Sequence, residues 1–180
     1  MKLMIASDIH GSAVWCRRML EAWEREAPER LLLLGDLLYH GPRNDLPEGY
    51  SPKEVAAMLN GIADQLLCVR GNCEAEVDQM VLDFPVLAEY CVLYIGDRMI
   101  CASHGHRLQE VTPALPEGSL LLAGHTHIPD LRCEGRPLYA NPGSVAIPKA
   151  GTPHSYMTLE DGVLRWMDLT KGLYREETLP

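Results

Sequence analysis

No stretch of this sequence approaches the roughly 18–20 consecutive apolar residues of a membrane-spanning helix, and its start lacks the apolar core of a signal peptide. These absences predict a cytoplasmic protein with no membrane partner. Positive charge is also scarce. Sixteen Lys and Arg face 25 Asp and Glu, a net charge of -9. A basic face supplies most of the affinity for nucleic acid or anionic lipid, so no nucleic-acid surface is evident. The six cysteines (Cys16, Cys68, Cys73, Cys91, Cys101, Cys133) form no CxxC pair. That argues against a cysteine-rich structural zinc site, and without an export signal they read as reduced thiols. Internal repeats, low-complexity tracts and linkers are missing too. What is present is ordinary: 180 residues, 47% hydrophobic and 23% charged. This suits one globular domain over residues 1–180, large enough to fold without disulfides or a structural metal.

The first half alternates short apolar runs with helical segments. Lys2–Ala6 reads as a buried strand, and residues 13–26 as a helix with Val14, Met19, Leu20 and Trp23 near helical spacing. Leu31–Leu34 is a second strand. Ser51-Pro52-Lys53-Glu54 opens a helix with a capping Ser, Pro at N1 and Glu at N3. Leu66–Val69 is a third strand. This β-α-β-α-β order predicts a parallel sheet with right-handed crossovers. The second half reads as strands at Val86–Ile95 and Arg98–Ala102 around a Gly96-Asp97 turn. Further strands follow at Ser119–Ala123, Pro137–Ala140, His154–Leu159 and Val163–Asp168. The longest irregular stretch, Leu37–Tyr50, has the length at which a loop is usually functional.

Polar residues fall where these strands end. The blocks are Asp8-Ile9-His10-Gly11, Gly35-Asp36, Gly71-Asn72-Cys73-Glu74, His104-Gly105-His106 and Gly124-His125-Thr126-His127. Singly, each has a plain explanation: Asp8 or Asp36 as a helix cap, Asn72 as a turn residue, the histidines as satisfied imidazoles. Together they suggest one site, because ligands of open α/β sheets bind beyond the carboxyl ends of the strands. Asp8, Asp36, Asn72, His10, His104, His125 and His127 offer oxygen and imidazole donors. That mixture suits Mn, Fe, Co, Ni or Zn better than Mg or Ca. Arg43, on the long loop, has the planar fork that matches phosphate oxygens. His40 and Asn44 follow Asp36 closely enough to border the same pocket. Asn141-Pro142-Gly143-Ser144 reads as a structural turn beside it.

The ordered set DIHG, GD, GNCE, HGH and GHTH resembles the calcineurin-like metallophosphoesterase superfamily, and within it the small bacterial YfcE-type phosphodiesterases. The likeness spans nearly the whole chain and includes GDLLYHGPRN, EVDQM and NPGSVAIPK. It implies a four-layer αββα sandwich with a dinuclear metal site at the strand carboxyl ends. One metal would be held by Asp8, His10, Asp36 and His127. The second would be held by Asp36, Asn72, His104 and His125, with Asp36 as the bridge. The implied cofactors are two divalent transition-metal ions, Mn first, with Ni, Co, Fe or Zn as alternatives. The implied activity is hydrolysis of small phosphodiesters by a metal-activated bridging water, with Asp36, Asn72 and His104 as catalytic residues. Alternatives on the same fold are a phosphomonoesterase and a retromer-subunit-like, non-catalytic scaffold for protein partners. Homo-oligomerisation is a further expectation from the family.

One residue departs from the common pattern. Many superfamily members carry His directly after the motif asparagine, where this chain has Cys73. Related small phosphodiesterases also carry Cys there. A neutral thiol cannot supply the same positive charge, so protonation of the leaving group falls to His106, His40 or solvent. Cys73 as a nucleophile is a weaker alternative, since no neighbouring base or cation is identifiable.

Overall fold

Neighbouring side chains of a strand point to opposite faces, so an unbroken apolar run requires both faces to be covered. In the computed structural model, which describes residues 1–111, 115–134 and 137–180, β1 (Lys2–Ala6), β2 (Arg30–Leu33) and β3 (Leu66–Cys68) meet this requirement. They are parallel neighbours, with Met4 opposite Leu31 and Leu33 opposite Cys68. Met4, Ala6, Leu31 and Leu33 face Cys16 and Met19 of α1 (Ala13–Glu26) and Val55 and Leu59 of α2 (Pro52–Asn60). Leu3, Ile5 and Leu32 face the other way, into a second sheet.

Helix α1 starts where Ser12 accepts a hydrogen bond from the Trp15 N–H, and it stops at Ala27 in the left-handed conformation. Helix α2 has Pro at its first turn as expected, but Ser51 makes no side-chain cap. Its hydroxyl instead donates to Glu54 Oε1 at 2.9 Å, which removes it from the backbone donors.

The first sheet is mixed rather than wholly parallel. The end of the chain adds β9 (Ser155–Glu160), β10 (Val163–Asp168) and β11 (Gly172–Thr178), giving the order β11-β10-β9-β1-β2-β3. Strand β9 runs antiparallel to β1. Strand β11 lies outside the sequence expectation because its residues, among them Glu176, Glu177 and Thr178, are largely exposed and show no apolar alternation.

The second sheet contains β4 (Tyr90–Ile95), β5 (Arg98–Ser103), β6 (Leu120–Leu122), β7 (Pro129–Arg132) and β8 (Leu138–Pro142), in the order β4-β5-β6-β8-β7. The β4–β5 hairpin turns at Gly96-Asp97 as expected, but β4 begins at Tyr90 rather than Val86. Phe84 and Val86 are instead committed to the core beneath α1 and α2. Edge strand β7 was also unforeseen, since a four-residue run opening with Pro carries little strand signal.

Ile100, Ala102, Leu120, Leu122, Leu138 and Ala140 meet the inner face of the first sheet, so one apolar core lies between the sheets. The outer face of the second sheet, at Cys101, Leu121, Ala123 and Tyr139, is covered by Leu108 from the short helix α4 (Leu108–Val111) and by Leu115. A short helix α3 (Glu76–Gln79) follows the β3 loop. The layering is αββα, with one outer layer much thinner than the other.

Candidate metal centre

The polar blocks meet at one end of the two sheets, tied by their own backbones. Asp8 N–H donates to the Gly35 carbonyl at 3.1 Å, His10 N–H to Asp36 at 2.8 Å and Gly124 N–H to His104 at 2.7 Å. Asp8, His10, Asp36, His125 and His127 all take left-handed φ between 48° and 67°. Non-glycine residues avoid this region, at a cost of roughly 1–3 kcal/mol each, and tolerate it where surrounding structure over-determines them. Every one of these residues belongs to the sequence-derived ligand set.

The surrounding structure is identifiable. Ser144 Oγ donates to the Asp8 carbonyl at 2.9 Å and accepts from Ile147 N–H at 2.9 Å. Asn141 Nδ2 donates to the Gly124 carbonyl at 2.7 Å, while its Oδ1 accepts from Gly143 N–H at 2.8 Å. The Asn141–Ser144 turn is therefore a brace for the β1 and β6 loops. Buried Glu74 does the same for β2 and β3. Its carboxylate accepts from Asp36 N–H at 2.9 Å, Leu37 N–H at 2.7 Å and Gly71 N–H at 2.5 Å. Glu74 and Ser144 were not singled out from sequence, although both lie inside the quoted motifs.

The ring nitrogens fix what the cluster can hold. His10, His104 and His127 each place Nδ1 against a backbone carbonyl: Tyr39 at 2.8 Å, Leu34 at 2.7 Å and Ile147 at 2.6 Å. A carbonyl only accepts, so Nδ1 carries the proton and each neutral ring presents an Nε2 lone pair inward. Two such lone pairs, on His10 and His127, face each other at 3.2 Å. Asp8 Oδ1 stands 3.2 Å from His127 Nε2 and 3.5 Å from His10 Nε2, and it has no hydrogen-bond donor among the described residues. On the other side of Asp36, His104 Nε2 faces Asn72 Oδ1 at 3.1 Å and Asp36 Oδ2 at 3.4 Å, with His125 Nδ1 at 3.2 Å. Converging acceptors with too few protons between them are what a cation requires. The donor set fits divalent ions on both sides of Asp36.

Protonation equilibria report the same crowding of acceptors. Burial would raise the Asp8 carboxyl, yet His10 and His127, when Nε2 also carries a proton, hold it well below the usual carboxylate range. Asp36 is likewise held down, against burial, chiefly by His104. Burial works against the His104 imidazolium, but Asp36 and Asp8 overcome it and push its pKa up to about 9. A proton on His104 substitutes for a cation in this cluster. Burial raises Cys73 first, and the charges of Asp36 and Glu74 raise it further, so it stays a neutral thiol. This opposes the nucleophile alternative.

Above the cluster opens a pocket of about 420 Å³, lined by His10, Asp36, Asn72, Cys73, His125 and His127, with Arg43, Asn44, Thr126 and Lys149 at its walls. Arg43 and Asn44 therefore border this pocket. His40 does not line this pocket; its ring packs edge-on against Tyr39 and Tyr50. His106 faces a neighbouring cavity of about 280 Å³ and lies 5.4 Å, ring to ring, from His104. Burial and the nearby His104 lower its pKa. Lys149 was missed because its motif, NPGSVAIPK, read only as a structural turn.

A family model, the calcineurin-like phosphoesterase superfamily domain, matches residues 1–161. The phosphodiesterase YfcE of Escherichia coli strain K12 is 47% identical over 165 residues, covering 91% of this chain and 90% of that protein. A solved structure of YfcE, a phosphoesterase from E. coli, aligns over 100% of both chains with a TM-score of 0.94 and 43% identity. Vps29 from Entamoeba histolytica, solved with zinc, aligns over 100% of both chains with a TM-score of 0.67 and 20% identity, a likeness of fold alone.

Proposed function

The chain belongs to the calcineurin-like phosphoesterase superfamily, and from that premise we propose that it is a metal-dependent phosphodiesterase acting on small phosphodiesters. The observation that carries this reading is the pair of inward Nε2 lone pairs on His10 and His127, 3.2 Å apart beside the undonated Asp8 oxygen. Asp8, His10, Asp36 and His127 would hold one divalent ion; Asp36, Asn72, His104 and His125 would hold the second. Manganese is the proposed metal, and the same donors suit Fe, Co, Ni or Zn. When bound, such ions lower the pKa of water and offset charge on the phosphoryl oxygens.

The chain's own residues do the rest. Asp36, shared by both halves, fixes their spacing. The Arg43 fork, with Asn44 beside it, receives the non-bridging oxygens and orients the phosphate. Cys73 lines the pocket as a neutral thiol and offers no positive charge to a departing oxygen. His106 lies in the adjoining cavity, outside the pocket lining. Leaving groups consequently depart with little protein assistance, which favours good ones. The common core between the sheets supports reading 1–180 as one domain. No helix among the described residues is long and apolar enough to cross a membrane. A cytoplasmic location and self-association complete the proposal; exposed Tyr90, Val92 and Tyr94 on edge strand β4 are compatible with the latter.

The test is turnover of bis(4-nitrophenyl) phosphate, an alkyl 4-nitrophenyl phosphate and a dialkyl phosphate by metal-loaded protein. The aryl diesters should be hydrolysed and the dialkyl ester should be far slower. Absence of metal-dependent turnover on all three would return the chain to the scaffold alternative. Arg43→Ala should raise KM about tenfold, about 1.4 kcal/mol, with kcat and metal content nearly unchanged. Unaltered kinetics would make Arg43 a solvated surface residue.

A further inference from the structure

Among the described residues four cationic side chains make no ion pair, hydrogen bond or aromatic-ring contact: Arg43 and the exposed lysines Lys53, Lys149 and Lys171. Among the described residues every arginine other than Arg43 meets a carboxylate, a carbonyl, a hydroxyl or an aromatic ring. Examples are Arg70 with Glu89, Arg98 with the Gly118 carbonyl, Arg25 with the Tyr156 hydroxyl and Arg18 over Trp15. Arg43 lines the pocket without such a partner, and so does Lys149, whose ammonium makes no ion pair or hydrogen bond among the described residues. Two of the four, Arg43 and Lys149, thus line one pocket of an acidic protein, and their charge suits that pocket to anions.

The two cations come from different walls. Lys149 is fixed beside His127, where its N–H donates to the His127 carbonyl at 3.3 Å. Arg43 belongs to the Gly41–Asn44 loop, and a Cβ added at Gly41 would stand 3.4 Å from Cys73 Sγ. The Arg43 loop thus borders the Cys73 side of the pocket and Lys149 the His127 side. A phosphodiester carries one negative charge on two non-bridging oxygens. Under the proposed function Asp8, Asp36 and the histidines would hold two divalent ions, and these with Arg43 would offset the charge of the two oxygens. Lys149, on the His127 wall, would then be free to meet a different anionic group.

We propose that Lys149 is a specificity-determining residue that binds a second anionic group, a carboxylate or phosphate carried on the substrate arm that lies over His127. The natural substrates are then phosphodiesters with at least one anionic substituent beyond the scissile phosphate. This rests on the phosphodiesterase reading above.

The experiment compares two probes that differ only in that charge, 4-nitrophenyl 2-carboxyethyl phosphate and its carboxamide, with metal-loaded protein at low ionic strength. Wild type should prefer the carboxylate by about fivefold in kcat/KM, through KM, the scale of a partly exposed charge pair. Added salt should shrink the preference. Lys149→Met should abolish it while leaving the carboxamide ester within about twofold, and Lys149→Arg should restore it. Equal kcat/KM for the two probes in wild type, or a preference that survives Lys149→Met, overturns the proposal. So does an equal loss on both probes, which would place Lys149 on the scissile phosphate. Failure of wild type to hydrolyse either probe overturns the phosphodiesterase reading itself.

Discussion

Asp36→Asn should cost about 10³-fold or more in turnover, about 4 kcal/mol of transition-state stabilisation, and should lower metal content on both sides of the cluster. The geometry explains why this position outweighs the others. Asp36 Oδ2 lies 3.4 Å from His104 Nε2 and 3.7 Å from His10 Nε2, so one oxygen addresses both halves of the site. Asn preserves the volume and can still accept the Cys73 N–H that Asp36 Oδ1 receives at 2.9 Å. The fold should therefore survive while the shared negative charge is lost. Metal content by elemental analysis, thermal midpoint and kcat/KM, measured together, separate these effects. A variant with wild-type rate and full metal content would refute the role given to Asp36.

Gly71→Ala is the second large effect, and it should strike stability first. A Cβ at position 71 would lie 2.1 Å from Asp36 Oδ1, 2.5 Å from the Asp36 backbone nitrogen and 2.7 Å from Glu74 Oε2. None of these neighbours can move freely: Asp36 is held in a left-handed backbone and Glu74 is buried against three N–H donors. Overpacking of this kind typically costs 1–3 kcal/mol; with buried carboxylates in the way, about 3 kcal/mol is expected. The midpoint of chemical unfolding should fall, and metal affinity should fall with it because Asp36 and Asn72 flank the clash. Gly118→Ala is the control, since a Cβ there meets nothing within 4 Å, although its φ of +79° adds backbone strain. If Gly71→Ala were no more disruptive than this control, the packing of the β2 and β3 loops would be far looser than described.

Much of the site was legible because metal chemistry uses few residue types and the fold delivers them at strand ends. Asp8, His10, Asp36, Asn72, His104, His125 and His127 could be collected by following apolar runs to their last residue. The first three strands were legible for the same reason: runs such as Leu31–Leu34 are buried on both faces and tolerate no polar interruption. Elements without an apolar run were not. Strand β11 presents charged side chains to solvent, and β7 is short and opens with Pro129. Side chains whose work is to brace a loop also escaped notice. Glu74 and Ser144 act through main-chain N–H groups and carbonyls, and a sequence pattern does not display main-chain hydrogen bonds. His40 shows the opposite error. Nearness in sequence to Asp36 suggested the pocket, while its ring packs edge-on against Tyr39 and Tyr50 instead.

The central claim is that this cluster holds two divalent ions and that phosphodiester hydrolysis depends on both. It is tested most directly by stripping the protein with chelator and titrating manganese back while following turnover of bis(4-nitrophenyl) phosphate. The account predicts an inactive stripped protein whose activity returns on titration and levels off at about two ions per chain, as expected for a two-metal site. Full turnover by the metal-free protein, or a plateau at a single ion, would contradict it.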